Sequence, residues 1–124
     1  MRLPGGEKPV LLEVISIVSL LPSPATTVEG EVLAIWEGEQ VREVLALVGD
    51  VPGSELHRCF APRYGIRAHG TSDLLFEIAF CFHCHGALLL GPGVPADQRG
   101  IHSFDPDSAA GNELLERFSE VNGV

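Results

Sequence analysis

The sequence predicts an α+β fold, in which an antiparallel sheet carries one internal helix and one C-terminal helix packed on one face. Three observations indicate this class. Several short stretches rich in Val, Ile, Leu and Phe end at Gly, Pro or Ser, as strands do. Two other stretches place their apolar residues at helical spacing. Two of the strand-like stretches are separated by only residues 70–72, which is short enough for a hairpin.

The first half of the chain predicts two strands and then a helix. The nearly continuous apolar run from Val10 to Leu21 indicates a central strand that is covered on both faces. Residues 28–38 alternate in character and predict a second strand. Apolar residues then recur at helical spacing, which predicts a helix over residues 39–48 with Gly49 as its C-cap.

The second half predicts the hairpin, two further strands and the last helix. The hairpin is expected to pair residues 55–70 with residues 73–82, and strands over residues 86–90 and 101–105 should follow. The last helix should begin at an N-cap formed by Asp107 or Ser108. The residues expected in the core are Leu74, Phe76, Ile78, Phe80 and Phe82 of the hairpin, and Leu114, Leu115, Phe118 and Val121 of the helix.

Length and charge limit the classes of function. The 124 residues suit one domain, and we expect a flexible tail over residues 1–8 and a single α+β domain over residues 9–124. The 17 acidic and 8 basic residues give a net charge of −9. This charge opposes binding to nucleic acid or to an anionic membrane, since both are polyanions. It favours a soluble protein or one with a basic protein partner.

The cysteine count and the N-terminal segment bear on localisation. Three cysteines are a poor disulfide framework, so reduced thiols and a cytoplasmic location are expected. The apolar run after Arg2 has the outline of a secretory signal, and a cleaved signal segment is the alternative. Because Glu13, Ser16 and Ser19 interrupt the run, we interpret it as a buried strand. It is too short for a membrane-spanning helix.

The stretch CFHCH, residues 81–85, contains two cysteines and two histidines and supports four hypotheses. C-x-x-C-H matches the attachment pattern of c-type haem, although the flanking strands argue against it. The two thiols could form the reversible disulfide of a redox protein, but no clear helix follows them. The same cysteines could bind a metal ion. Finally, they could be small apolar residues of the core.

The metal hypothesis needs ligands from the neighbouring strand. Cys81 and Cys84 are followed by Gly86 in the form C-x-x-C-x-G, a spacing that zinc knuckles use to direct two sulfur atoms at one ion. The predicted hairpin would bring Cys59 between them. His57 or His85 could then be the fourth ligand of a zinc site.

A second candidate site is a pair of arginines in the stretch CFAPRYGIR, residues 59–67. Arg63, Tyr64 and Arg67 lie within five positions, and two guanidinium groups could hold a carboxylate or phosphate. The alternative is that each arginine pairs with a nearby acidic residue of this chain.

CFAPRYGIR followed by CFHC resembles a pattern of small uncharacterised bacterial proteins, in which a histidine commonly stands at the position of Tyr64. The resemblance covers roughly residues 57–120 and implies no known activity. P-loop, G-x-S-x-G and H-E-x-x-H signatures are absent from the sequence. We therefore expect a small acidic, non-catalytic binding or accessory protein, such as an immunity-type inhibitor of a basic partner. The alternatives are a zinc-binding protein and a C-x-x-C thiol redox protein.

Overall fold

A computed structural model describes residues 1–20, 28–55 and 60–123, and it confirms the α+β class. The strands are β1 (Leu11–Leu20), β2 (Val28–Glu37), β3 (Tyr64–His69), β4 (Leu74–Cys81), β5 (Gly86–Leu90) and β6 (Gly100–Ser103). The helices are α1 (Glu39–Asp50) and α2 (Ala109–Val121), and a short 3₁₀ helix spans Ala96–Gln98.

The six strands form one antiparallel sheet in the order β2-β1-β3-β4-β5-β6. β1 therefore has a hydrogen-bonded neighbour on each side, as its apolar run predicts. Leu12, Val14 and Ile15 of β1 are fully buried, whereas Val18 is 81% exposed. The central strand is thus covered on both faces over its first half, and Val18 leaves one face uncovered beyond it.

Both helices pack on one face of the sheet and share its main core. Val41, Val44 and Val48 of α1 belong to the same buried cluster as Leu114 and Phe118 of α2. Rings join the layers: Phe118 stacks on the ring of Trp36 in β2 and on that of Tyr64 in β3. The rings of Phe80, Phe82 and Phe104 pack against one another, and those of Phe80 and Phe82 also contact the ring of Phe118.

The helix α1 begins at the predicted residue but does not end at Gly49. It continues to Asp50, and the cap position is Val51, whose N–H donates to the oxygen of Leu47 at 3.2 Å. The amino group of Met1 donates to the carbonyl oxygens of Val48, Gly49 and Val51 at 3.1, 3.2 and 2.6 Å. This positive group provides hydrogen-bond donors for the carbonyl groups at the end of the helix, so a left-handed glycine cap is not required. Whether residues 1–8 are flexible stays a prediction.

β4 was expected to bury one face, and the structure buries both. Phe76, Ile78 and Phe80 face the helices, but Glu77 and Ala79 on the opposite face are also at most 1% exposed. The reason is that the start of β2 contacts this opposite face, where Val28 donates its N–H to Oε1 of Glu77 at 3.3 Å. Irregular register in the β1–β2 pair, between Val14 and Ile15 and again before residue 19, is the kind of bulge that bends strands in this way.

The β3–β4 hairpin is present, but its first strand is shorter than predicted. Tyr64 pairs with Phe80 and Arg67 with Glu77. Residue 55 and residues 60–63 are not in a strand, and the four residues between them lie outside the described ranges. Pro62 cannot donate a ladder hydrogen bond, which is consistent with a strand that begins only after it.

α2 begins at the predicted N-cap Ser108, whose hydroxyl accepts the N–H of Gly111 at 3.1 Å. Leu114 and Phe118 are fully buried, but Leu115 remains 36% exposed. The two helices are the longest in the described part of the chain, and neither is long and apolar enough to cross a bilayer.

Candidate functional site

The β4–β5 turn holds the C-x-x-C pair as a disulfide. Cys81 ends β4 opposite Gly86, and residues 82–85 form the turn between the strands. This turn brings the Cα atoms of Cys81 and Cys84 to 5.2 Å, and their sulfur atoms are bonded. The expectation of reduced thiols is therefore wrong for these two residues, because a tight hairpin places them at bonding distance whatever the total cysteine count.

The turn closes through His85, which the sequence analysis considered only as a metal ligand. His85, and not Gly86, has the positive φ of 56° that lets the chain reverse. Its ring Nδ1 lies 3.2 Å from the hydroxyl of Ser54, which holds the side chain against the loop that follows α1. His85 therefore has a structural role in the turn, apart from any role as a metal ligand.

The disulfide is enclosed by protein. Cys81 and Cys84 are 2% and 1% exposed, and the N–H of Cys84 donates to Sγ of Cys81 at 3.2 Å. Burial agrees with the hypothesis that these cysteines are core residues. The amide directed at Sγ is also a feature that would stabilise a thiolate at Cys81 if the bond were reduced.

The predicted zinc ligands are only partly placed. His57 and Cys59 lie outside the described residues, so the approach of Cys59 to Cys81 and Cys84 stays a prediction. Within residues 1–20, 28–55 and 60–123, no group of three or more His, Cys, Asp or Glu side chains is arranged to hold a metal ion. A zinc site on Cys81 and Cys84 would first require reduction of their disulfide, since thiolates are the ligands.

Arg67 has an anionic partner from this chain. It lies opposite Glu77 in the β3–β4 pair and donates from Nε to Oε1 of that residue at 3.0 Å. A second donor of its guanidinium group bonds the main-chain oxygen of Val28. The Glu77 side chain is only 2% exposed and that of Arg67 is 27% exposed, so this is a largely buried ion pair that ties β2, β3 and β4 together.

Arg63 and Tyr64 are in a different environment from Arg67. A cavity of about 710 Å³ lies between the disulfide turn and α2. Arg63 lines this cavity together with Tyr64, and Arg67 does not, so the structure does not bring the two arginines together on one ligand. The other lining residues are Ala61, Phe80, Cys81, Phe82, His83, Cys84, Leu115 and Ser119.

The distribution of acidic residues is a feature that the net charge alone could not show. β2, α1 and α2 together carry nine of the 17 acidic residues and only two basic ones, Arg42 and Arg117. We call the nine carboxylates the acidic surface: Glu29, Glu31, Glu37, Glu39, Glu43, Asp50, Glu113, Glu116 and Glu120. All are exposed except Glu113, which is half-buried.

The three elements of the acidic surface adjoin one another. Only Gly38 separates β2 from α1, and Arg117 of α2 bonds Glu43 of α1 at 3.0 Å. Arg117 also bonds Glu113, at 3.2 Å. The hydrogen bond with Glu43 raises the pKa of Arg117 above its usual value, and the bond with Glu113 acts in the same direction. Its positive charge is therefore already paired with two of the nine carboxylates, those of Glu43 and Glu113.

We compared the chain with protein-family models, curated proteins and solved structures. No family model, no curated protein and no solved structure matches the chain.

Proposed function

We propose that the protein is a small non-catalytic binding protein whose acidic surface recognises a basic protein partner. The observation that carries the proposal is the placement of charge. With nine acidic and two basic residues, β2, α1 and α2 account for seven of the nine net negative charges of the chain. An immunity-type inhibitor of a basic protein is one form that such a binding protein takes.

Exposure and neighbouring charges support this use of the surface. Eight of its nine carboxylates are exposed, and Arg42 is paired with Glu39 at 3.1 Å while Arg117 is paired with Glu43 and Glu113. These two arginines offset only part of the charge, so a strong negative field remains. Such a field accelerates encounter with a cationic partner and disfavours polyanions.

Titration with a cationic probe tests the proposal. An oligolysine peptide should bind, and a matched oligoglutamate peptide should not, as followed by calorimetry at low ionic strength. Binding should weaken strongly as the salt concentration approaches physiological values, since charges are then screened over about 8 Å. Affinity for oligolysine that does not change with salt, or equal affinity for both peptides, would contradict an electrostatic recognition surface.

A thiol–disulfide function is a second candidate, because the N–H of Cys84 is aimed at Sγ of Cys81. In this function the Cys81–Cys84 disulfide would accept two electrons from a partner dithiol, which would leave as a disulfide while the protein became a dithiol. Equilibration in glutathione buffers, followed by alkylation and mass analysis, tests it. The redox function requires Cys81 and Cys84 to be a dithiol in reducing buffers and a disulfide in oxidising buffers. A pair that stays oxidised throughout would rule it out and leave the disulfide as a structural bond.

A further inference from the structure

We infer that the cavity between the disulfide turn and α2 is a binding site for a small apolar molecule that carries an anionic group. The site shares α2 with the acidic surface, but none of the nine carboxylates lines it, and it does not depend on the function proposed for them. Its cation is Arg63, and its apolar walls come from Tyr64, Phe80, Phe82 and Leu115.

The size and the walls of the cavity suit a small molecule. Its volume of about 710 Å³ falls within the range of roughly 300–1,000 Å³ that small-molecule sites occupy. Phe80 and Phe82 line it from the sheet side, and Tyr64, which stacks on Phe118 with parallel rings 5.2 Å apart, lines it as well. These rings are already packed against neighbours, so they would form apolar walls that need little rearrangement on binding.

Leu115 gains an explanation from this cavity. It lies on the predicted apolar stripe of α2, yet 36% of it is exposed, while Leu114 beside it is fully buried. Leu115 is exposed where it lines the cavity. A bound apolar group would remove that surface from water, which is the source of affinity that such sites use.

Arg63 provides the charge selectivity. Among the residues that the structure describes, it makes no ion pair or side-chain hydrogen bond, and the residue is exposed. In contrast, the side chains of Arg42, Arg67, Arg99 and Arg117 each have a partner. The main chain at Arg63 is nevertheless fixed, since its carbonyl oxygen accepts the N–H of Ile17 at 2.8 Å. A guanidinium group with free donors on a fixed backbone can bind a carboxylate or sulfonate through two parallel hydrogen bonds.

The composition of the lining favours an anion over a cation. The chain has 17 acidic residues, but none of those the structure describes lines this cavity, while Arg63 and His83 do. The acidic surface repels anions at long range, so the overall field would not speed their encounter with the cavity. Screening over about 8 Å at physiological salt leaves the local contact with Arg63 to set the affinity.

A pair of fluorescent probes tests the inference. 1-Anilinonaphthalene-8-sulfonate combines aromatic rings with a sulfonate, and N-phenyl-1-naphthylamine is the same ring system without it. The intact oxidised protein should bind the sulfonate probe more tightly. Arg63→Met should weaken binding of the sulfonate probe by about tenfold or more, as loss of a charge-assisted bond does, and should leave the neutral probe nearly unchanged.

Arg2→Met is the matched control, because it removes one exposed arginine that lines neither this cavity nor the one between the N-terminal segment and α1. It should leave the sulfonate affinity within about twofold, since only a screened charge is lost. Leu115→Ser should weaken both probes, which places them in the cavity. The inference is overturned if the sulfonate probe does not bind, if Arg63→Met and Arg2→Met have the same effect, or if Arg63→Met weakens both probes equally.

Discussion

Glu77 shows how a single charged residue can be a structural element of the sheet. It is 1% exposed and lies on the face of β4 opposite the helices. Its carboxylate accepts hydrogen bonds from Nε of Arg67 and from the N–H of Val28. A buried carboxylate without partners would be strongly unfavourable, so these bonds are what allow it to be there.

Replacing Glu77 by alanine should lower the free energy of unfolding by about 3 kcal/mol. This is the lower end for a broken buried pair, because Arg67 keeps contact with solvent. Urea denaturation measures the change. The matched control is Glu39→Ala, which breaks the exposed pair with Arg42 and should cost at most about 1 kcal/mol. Equal losses for the two variants would contradict the role assigned to Glu77.

At the residue scale, the sequence identified the residues with reactive or charged side chains better than it identified the residues they bond. The spacing of Arg63 and Arg67 left open either a shared anion or separate pairing with acids of this chain, and Arg67 lies directly across the β3–β4 pair from Glu77 and bonds it. Cross-strand register decides such pairs, and the short link at residues 70–72 made a hairpin predictable but not its register. Likewise, the spacing of Cys81 and Cys84 identified the pair, while the turn geometry that joins them became visible only in the structure.

The β4–β5 turn is an element that its disulfide should stabilise. A bridge between residues three positions apart closes a very small loop, so the chain-entropy estimate of its contribution is about 2 kcal/mol. Unfolding in urea with and without a strong reductant should show a loss of that order. Alkylation of the unreduced, unfolded protein should modify only one of the three cysteines. Modification of all three, or unchanged stability in reductant, would be incompatible with the bridge.

The start of α2 packs too closely on the preceding loop to accept a side chain at Gly111. An added Cβ there would lie 2.7 Å from the main-chain oxygen atoms of Asp105 and Pro106. Gly111→Ala should therefore destabilise the protein by about 1–3 kcal/mol, despite the higher helix propensity of alanine.

Gly49 of α1 provides the opposite case, because a Cβ there would meet nothing within 4 Å. Gly49→Ala should stabilise the protein by about 0.5 kcal/mol through reduced backbone entropy in the unfolded chain. Thermal melts of both variants check the pair. Stabilisation by both substitutions would show that the close approach at Gly111 does not limit α2.

At the element scale, periodicity was sufficient where an element has one buried face and insufficient where contacts from distant segments decide. The apolar spacing of α1 and α2 predicted both helices, and the cap preferences of Asp and Ser predicted an N-cap at Asp107 or Ser108, of which the structure uses Ser108. The spacing did not predict the end of α1, because the amino group of Met1 satisfies the last carbonyls from the far end of the chain. The second buried face of β4 was missed for a similar reason, since Val28 covers it from β2.

At the scale of the whole molecule, the structure distinguishes two kinds of surface that the net charge of the chain does not distinguish. Most of the net charge lies on β2, α1 and α2, whereas the cavity beside the disulfide turn has a cationic and apolar lining. A net charge of −9 predicts an acidic protein, but only tertiary structure shows which carboxylates are neighbours. This arrangement allows the carboxylates to repel anions at long range while a local site lined by Arg63 accepts one.

The most direct test of the central claim compares two variants of equal net charge. One changes Glu31, Glu116 and Glu120 of the acidic surface to glutamine. The other changes Glu55, Asp73 and Asp97, which are exposed elsewhere, to the corresponding amides. Both variants carry three fewer negative charges. Any difference between them in affinity for oligolysine at physiological salt therefore depends on where the removed charges lie. The account predicts that the first variant loses at least about fivefold in affinity relative to the second. Equal losses would show that total charge, and not the acidic surface, determines binding.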